Sequence, residues 1–146
     1  MTGLPVTDEA IQVVAAVVER DGRYLLCQRH GGPHLPFLWE FPGGKVEADE
    51  TAPVALVREI QEELGVTCDV GAEIADITHR YPEKTVRIRF FRATLEGEPQ
   101  AIIHRALSWI APADFHRHEA PPPNAKVLAL LAGRDVQWRA GELETH

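Results

Sequence analysis

Only two of the 146 residues are cysteine. Cys27 and Cys68 have neither the pairing density of a disulfide-stapled fold nor the short spacings of a zinc site. Both lie in apolar or strand-like stretches, so they are expected to be small buried or half-buried side chains, which suits a reducing compartment. No stretch approaches the roughly 18 apolar residues of a membrane span, and no basic start runs into an apolar segment. Neither an anchor nor a secretory leader is therefore expected, and a cytoplasmic location is. Positive charge is scarce as well: 15 Lys and Arg against 22 Asp and Glu leave a net charge of −7. A general nucleic-acid binder carries a basic stripe for the phosphates, which argues against nucleic acid as a partner. An acidic chain can still hold a polyphosphate if metal ions supply the positive charge.

The length suits one domain, residues 1–146, with a core over about 11–132 and a polar C-terminal tail that is expected to be disordered. Met1 to Ala10 is expected to fray. Ile11 to Val18 is rich in Val, Ile and Ala, Glu19-Arg20-Asp21-Gly22 carries an Asp-Gly turn signal, and Tyr24 to Gln28 is again apolar, so a hairpin or closely paired strands are predicted. His30 to Phe37 has loop chemistry, and His30 and His34 are expected to be exposed loop residues rather than metal ligands. Thr67 to His79 and Thr85 to Thr94 read as strands joined by a turn at 80–84. The alternation of Val86, Ile88 and Phe90 with Arg87, Arg89 and Phe91 marks a half-buried strand, with Arg87 and Arg89 pointing together, either on a solvated face or, as the lesser alternative, toward substrate. Ala106 to Ile110 is the last strand, with Trp109 buried or lining a cleft, and Asp114 to Glu119 is a turn or short helix. Asn124, after three prolines, is either the cap of a short apolar helix over Val127 to Leu131 or a side chain with a role of its own.

The segment from Gly43 to Val66, GGKVEADETAPVALVREIQEELGV, organises the rest. Thr51 is a candidate N-cap, Pro53 sits in the first turn where its missing N–H is harmless, and Gly65 is a left-handed stop, which predicts a helix over Ala52 to Leu64. Glu59, Glu62 and Glu63 share one face of that helix. Like charges at such spacing cost roughly 0.2–0.5 kcal/mol per pair, so a fold that keeps three together is expected to use them. Hard divalent cations are the natural use, since Mg²⁺ takes carboxylate oxygens and leaves positions for water and phosphates. Val54, Val57, Ile60 and Leu64 form an apolar stripe expected to face the core from the opposite side. Pro42-Gly43-Gly44 allows positive φ and close backbone approach. Glu50 just before the helix and Arg58 two turns inside can pair and pin the loop to it.

The pattern G-x5-E-x7-R-E-U-x-E-E-x-G-U, with U a bulky aliphatic residue, is met by Gly44, Glu50, Arg58, Glu59, Ile60, Glu62, Glu63, Gly65 and Val66, and it resembles the Nudix box. Together with Trp39-Glu40-Phe41-Pro42-Gly43-Gly44-Lys45, the chain from about Ile11 to Leu131 is similar to the MutT-like 8-oxo-dGTP diphosphatase and CTP pyrophosphohydrolase group. The resemblance implies an α/β/α sandwich with a mixed sheet. It also implies hydrolysis of a nucleoside triphosphate to the monophosphate and pyrophosphate, with Mg²⁺ (or Mn²⁺) held by Glu59, Glu62, Glu63 and the Gly43 carbonyl. Glu59 is then the expected general base, with Glu62 or Glu63 as substitutes, and Glu50 and Arg58 support them. Arg29, Phe41 and Lys45 are expected at the substrate, and Asn124 either reads an oxidised guanine or caps the helix. Relatives nearer CTP pyrophosphohydrolase usually have aspartate there, which tilts Asn124 toward a purine and toward a role in sanitising the nucleotide pool. One departure stands out: where the family usually carries an accessory metal-binding glutamate before the last strand, this chain has Ile103, followed by His104, so one accessory ligand is expected to be missing unless His104 or Glu98 assists the site. Other substrates open to the same box are pyrimidine triphosphates, ADP-ribose and dinucleoside polyphosphates, and a nucleotide-sensing module without turnover is a further alternative. A monomer or homodimer is expected, with no membrane partner.

Overall fold

The computed structural model of the protein describes residues 9–31 and 37–133. In chain order the elements are β1 (Ile11–Val17), β2 (Glu19–Arg20), β3 (Arg23–Gln28), β4 (Trp39–Glu40), β5 (Gly43–Lys45), α1 (Ala52–Leu64), β6 (Thr67–Arg80), β7 (Thr85–Glu96), β8 (Ala106–Ile110), a 3-10 turn over Pro112–Arg117, and α2 (Pro122–Leu131). The expectations for the first ten residues, for His34 and for the polar tail fall mainly outside the described residues.

Two sheets form. The first has the order β5-β1-β7-β6 and is mixed, since β1 runs parallel to β7 while the other pairs are antiparallel. The second joins β2, β3 and β4, with β8 on the other edge of β3. β1 lies between β5 and β7, and its residues Val14 to Val17 are all buried. A strand covered on both faces reads as a continuous apolar run rather than an alternating one, as this one does. Val14 and Ala16 face the layer that holds α1, together with Phe91 and Ala93. Ala15 and Val17 face the opposite layer with Phe90, Phe115, Val127 and Leu128. Helices on both sides of a mixed sheet thus give the expected sandwich.

The predicted hairpin is smaller than its sequence signal. Asp21 (φ 50°) and Gly22 (φ 78°) take the paired left-handed conformations of a tight hairpin turn, but only Glu19 and Arg20 pair with β3. β1 itself pairs with β5 and β7, so the chain changes sheets near Val18 and the apolar run is divided between two ladders. Trp109 is half-buried, and the Arg20 guanidinium lies 5.0 Å from its ring centre while donating to the Gly97 carbonyl at 2.7 Å.

Helix α1 has the predicted limits: Thr51 Oγ1 accepts from Val54 N, and Gly65 closes the helix at φ 73°. Its buried arc differs from the expected stripe. Ala52, Ala55, Leu56, Ile60, Glu63 and Leu64 are inside, whereas Val54 is 56 % and Val57 37 % exposed. At about 100° per residue the arc passes through the two alanines, whose small side chains let the helix approach the sheet, and Glu59 and Glu63 fall within it rather than opposite it. α2 begins two residues before Asn124, with Pro121 as its cap position, so Asn124 lies inside the helix and does not cap it.

Candidate active site

Burying carboxylates on a helix that packs on a sheet requires room, and the two glycines of β5 provide it. A Cβ on Gly44 would stand 2.3 Å from the Glu59 carboxyl, and one on Gly43 would stand 1.9 Å from the Val14 carbonyl oxygen. Neither glycine has positive φ, so close approach rather than left-handed backbone is what the position demands.

The three glutamates are not equivalent. Side-chain exposure is 14 % for Glu59, 11 % for Glu63 and 59 % for Glu62. Arg58 is the counter-charge on the outer side: Nη1 donates to Glu59 Oε2 at 3.0 Å and to Glu62 Oε1 at 3.3 Å. Its other nitrogens grip both oxygens of Glu50, and Nη2 reaches the Lys45 carbonyl at 3.0 Å. Arg58 holds the Glu50 carboxyl down to about 2, helped by the Glu47 backbone N–H. The expected loop-to-helix pair is present and two-pronged, the strong geometry for arginine and carboxylate.

Glu63 has no such partner. Burial pushes its carboxyl up to about 8, the neighbouring Glu59 and Glu40 carboxylates add to the shift, and a backbone hydrogen bond from Gly43 only partly opposes it. Its Oε1 is buried with no hydrogen bond. Among the described residues no three His, Cys, Asp or Glu side chains are already drawn to coordinating distance, and Arg58 holds Glu59 and Glu62 from one side.

Two residues close the inner side. Glu40 of β4 accepts Arg29 Nε at 2.9 Å and Nη2 at 2.8 Å on one oxygen, while its other oxygen lies 3.8 Å from His104 Nε2. Burial alone would raise the Glu40 carboxyl, but His104 and Arg29 outweigh it and the net shift is downward. Sequence reasoning gave Glu40 no role, although it stands inside the Trp39–Lys45 motif. Ile103, where the accessory glutamate is missing, is 53 % exposed. Arg29 is thus pinned at the rim by Glu40. Lys45 is exposed, pairs with Val13 in the sheet, and its carbonyl accepts from Arg58.

Phe41 is 3 % exposed and packs edge-on to Phe90 at 5.8 Å, so its ring belongs to the core. Its backbone N–H donates to Asn124 Oδ1 at 3.0 Å. Because the donor is a backbone N–H, the oxygen of the Asn124 amide must face it, which leaves the NH₂ group turned elsewhere. Both residues line a cavity of about 180 Å³ with Val13, Ala15 and Ile88, and Glu40, Gly43 and Gly44 form its end beside the carboxylates. A larger cavity, about 650 Å³, opens between the 3-10 turn and α2 with no residue of α1 or β5 in its wall, so size alone does not identify the reacting centre. Arg87 and Arg89 are paired with Asp76 and Glu73 across β6 and β7.

A family model for the NUDIX domain matches residues 9–131. The chain belongs to the NUDIX family. It is a NUDIX hydrolase, and its relatives bear this out. It is 39 % identical to CTP pyrophosphohydrolase of Escherichia coli K12 over 129 residues, 85 % of this chain and 96 % of the relative. To 8-oxo-dGTP diphosphatase of Haemophilus influenzae it is 34 % identical over 124 residues, 83 % of this chain and 90 % of the relative. The solution structure of the E. coli ORF135 protein superposes with a TM-score of 0.76 at 36 % identity, covering 92 % of this chain and all of that one. In NUDIX terms, the box supplies α1 and its acids, and the glycine segment before it supplies the space they occupy.

Proposed function

We propose that the protein is a Mg²⁺-dependent nucleoside triphosphate pyrophosphohydrolase that releases a nucleoside monophosphate and pyrophosphate, with oxidised guanine triphosphates such as 8-oxo-dGTP as preferred substrates. The observation that carries this reading is the pair Glu59 and Glu63, two carboxylates sunk against a glycine backbone, one with a buried oxygen that nothing satisfies. A buried acid without a counter-charge is costly and titrates upward unless a cation joins it. Hard oxygen donors on a rigid helix suit Mg²⁺ or Mn²⁺, and the Gly43 carbonyl would add a further oxygen.

A divalent ion at this site supplies charge neutralisation for the phosphate oxygens and a lowered pKa for water. The chain's own residues do the rest. Glu59, oriented by the Arg58 bond to its Oε2, accepts the proton of the attacking water as general base. Glu50 keeps Arg58 in place, and through it Glu59 and Glu62. Arg29, held by Glu40, and Lys45 are the cations that would supply positive charge at the oxygens of the phosphate chain. The cavity beside Gly43 and Gly44 takes the base between apolar walls. There the free NH₂ of Asn124 donates to a purine oxygen while its own oxygen stays on Phe41.

A second reading, a pyrimidine triphosphate substrate, is favoured by the 39 % identity to CTP pyrophosphohydrolase. Replacement of Asn124 by aspartate separates the two. A carboxylate still accepts the Phe41 N–H, so the tether survives, but it offers no donor to a purine oxygen and accepts readily from the amino group of cytosine. The expected outcome is a fall of about ten- to a hundredfold in the kcat/KM ratio of 8-oxo-dGTP to dCTP, with pyrophosphate as product from both. An unchanged ratio removes Asn124 from base recognition. Release of inorganic phosphate in place of pyrophosphate would overturn the reaction itself.

A further inference from the structure

We propose that His104, through Nε2, is a nitrogen ligand to the divalent cation held by Glu63, and that it takes the place of the oxygen ligand the chain lacks at Ile103. This rests on the metal-dependent reading above.

The chain between β7 and β8 is tied to both elements that frame the site. Gln100 N donates to the Leu64 carbonyl at 2.9 Å and Ile102 N to the Glu63 carbonyl at 3.3 Å, so this segment satisfies carbonyls left open at the end of α1. Three residues further on, Arg105 N donates to the Gln28 carbonyl at 2.9 Å. Between these anchors Ile103 turns outward, 53 % exposed, and the His104 side chain turns inward, 8 % exposed. The inward position falls to the residue after the expected ligand.

The imidazole is then more than nine-tenths buried, with Nδ1 lacking any hydrogen bond. Nε2 lies 3.8 Å from Glu63 Oε1, the other unpartnered buried atom, and 3.8 Å from Glu40 Oε2. That is too long for hydrogen bonds, so Nε2 does not satisfy Glu63 Oε1, a buried carboxylate oxygen of the kind seldom left without a partner. It is a suitable distance for two donors on one ion. Bonds of about 2.1 Å each put donors about 3.0 Å apart when adjacent and about 4.2 Å apart when opposite. An imidazole in the donor set favours transition ions over Mg²⁺, so the site should prefer Mn²⁺ or Co²⁺ more strongly than an all-oxygen set would.

The test uses the full chain stripped of metal, loaded with one equivalent of Mn²⁺ and no nucleotide, and read by pulsed electron paramagnetic resonance for directly bound nitrogen. Wild type is expected to show imidazole nitrogen coupling. His104→Gln should lose it and weaken Mn²⁺ binding about ten- to a hundredfold at an unchanged melting temperature. His104→Glu should keep Mn²⁺ bound without the coupling and move the Mn²⁺-to-Mg²⁺ affinity ratio toward Mg²⁺, which holds the test open should the glutamine variant fold poorly. Mn²⁺ bound in wild type without nitrogen coupling, or coupling that persists in His104→Gln, overturns the assignment while leaving the metal site standing. Absence of Mn²⁺ binding in wild type overturns both.

Discussion

Two groups of charged side chains border the main sheet, and they are built in opposite ways. Across β6 and β7, Arg87 holds both oxygens of Asp76 at 2.9 and 2.6 Å, and Arg89 holds both of Glu73 at 2.9 and 2.8 Å. Each charge has its partner, and each pair is part-exposed. Around the end of α1, Glu40, Glu59, Glu62 and Glu63 face the two guanidinium groups of Arg29 and Arg58, and one acid and one imidazole are left with buried unsatisfied atoms. Paired surface charges are near-neutral in energy, while buried unpaired ones cost enough that a fold retains them only for use. The difference separates scaffold from site without reference to any motif.

Removing an acid from each group should therefore have very different effects, and the largest falls on turnover. Glu59→Gln keeps volume and helix but takes away the proposed general base and a charge proposed to bind metal, so initial rates of pyrophosphate release should drop a hundredfold or more. Its melting temperature in the absence of metal, taken above pH 8 where Glu63 is ionised, should hold or rise, because a carboxylate repelling Glu63 is gone. Activity near wild type would show that the crowded acids are not the reacting centre.

The next effect is on stability and pH. Glu63 has a folded pKa raised to about 8, above the ordinary carboxylate value, so between that value and about 8 the folded state binds the proton more tightly than the unfolded chain. Stability of the metal-free protein is then greatest on the acid side of this window and falls as pH rises through it, by at most on the order of 5 kcal/mol. Glu63→Gln should flatten the profile, and Mg²⁺ should restore stability at pH 8. Urea titrations at several pH values measure this, and a metal-free protein that gains stability across the window would contradict the unpaired state of Glu63.

The smallest effect is expected in the ladder. Arg87→Ala should cost less than about 1 kcal/mol and leave kcat/KM unchanged, since both members of the pair are partly in water. A large loss of activity there would mean that β6 and β7 carry more than structure.

Some of this was legible from spacing alone. The ends of α1 depend on Thr51, Pro53 and Gly65, each acting on backbone within one turn, so reading them needs no knowledge of the sheet. The Glu50–Arg58 pair is similarly local. The apolar stripe was misassigned because bulk was taken as the sign of burial, whereas Ala52 and Ala55 are inside and Val54 is outside. Asn124 was open between two roles because its partner, the Phe41 N–H, is 83 residues away.

The sequence by itself determined the helix, its caps, the set of acids it carries and the family to which the chain belongs, because contacts three to eight residues apart are written directly in the order of side chains. Only the tertiary structure decided which of those acids are buried, that Phe41 serves the core and Asn124 the cavity, and that His104 rather than Ile103 turns toward Glu63. These outcomes depend on β5 lying beside β1 and on the chain after β7 crossing the end of α1. Burial and unmet hydrogen bonds belong to such long-range arrangements, and no spacing along the chain records them.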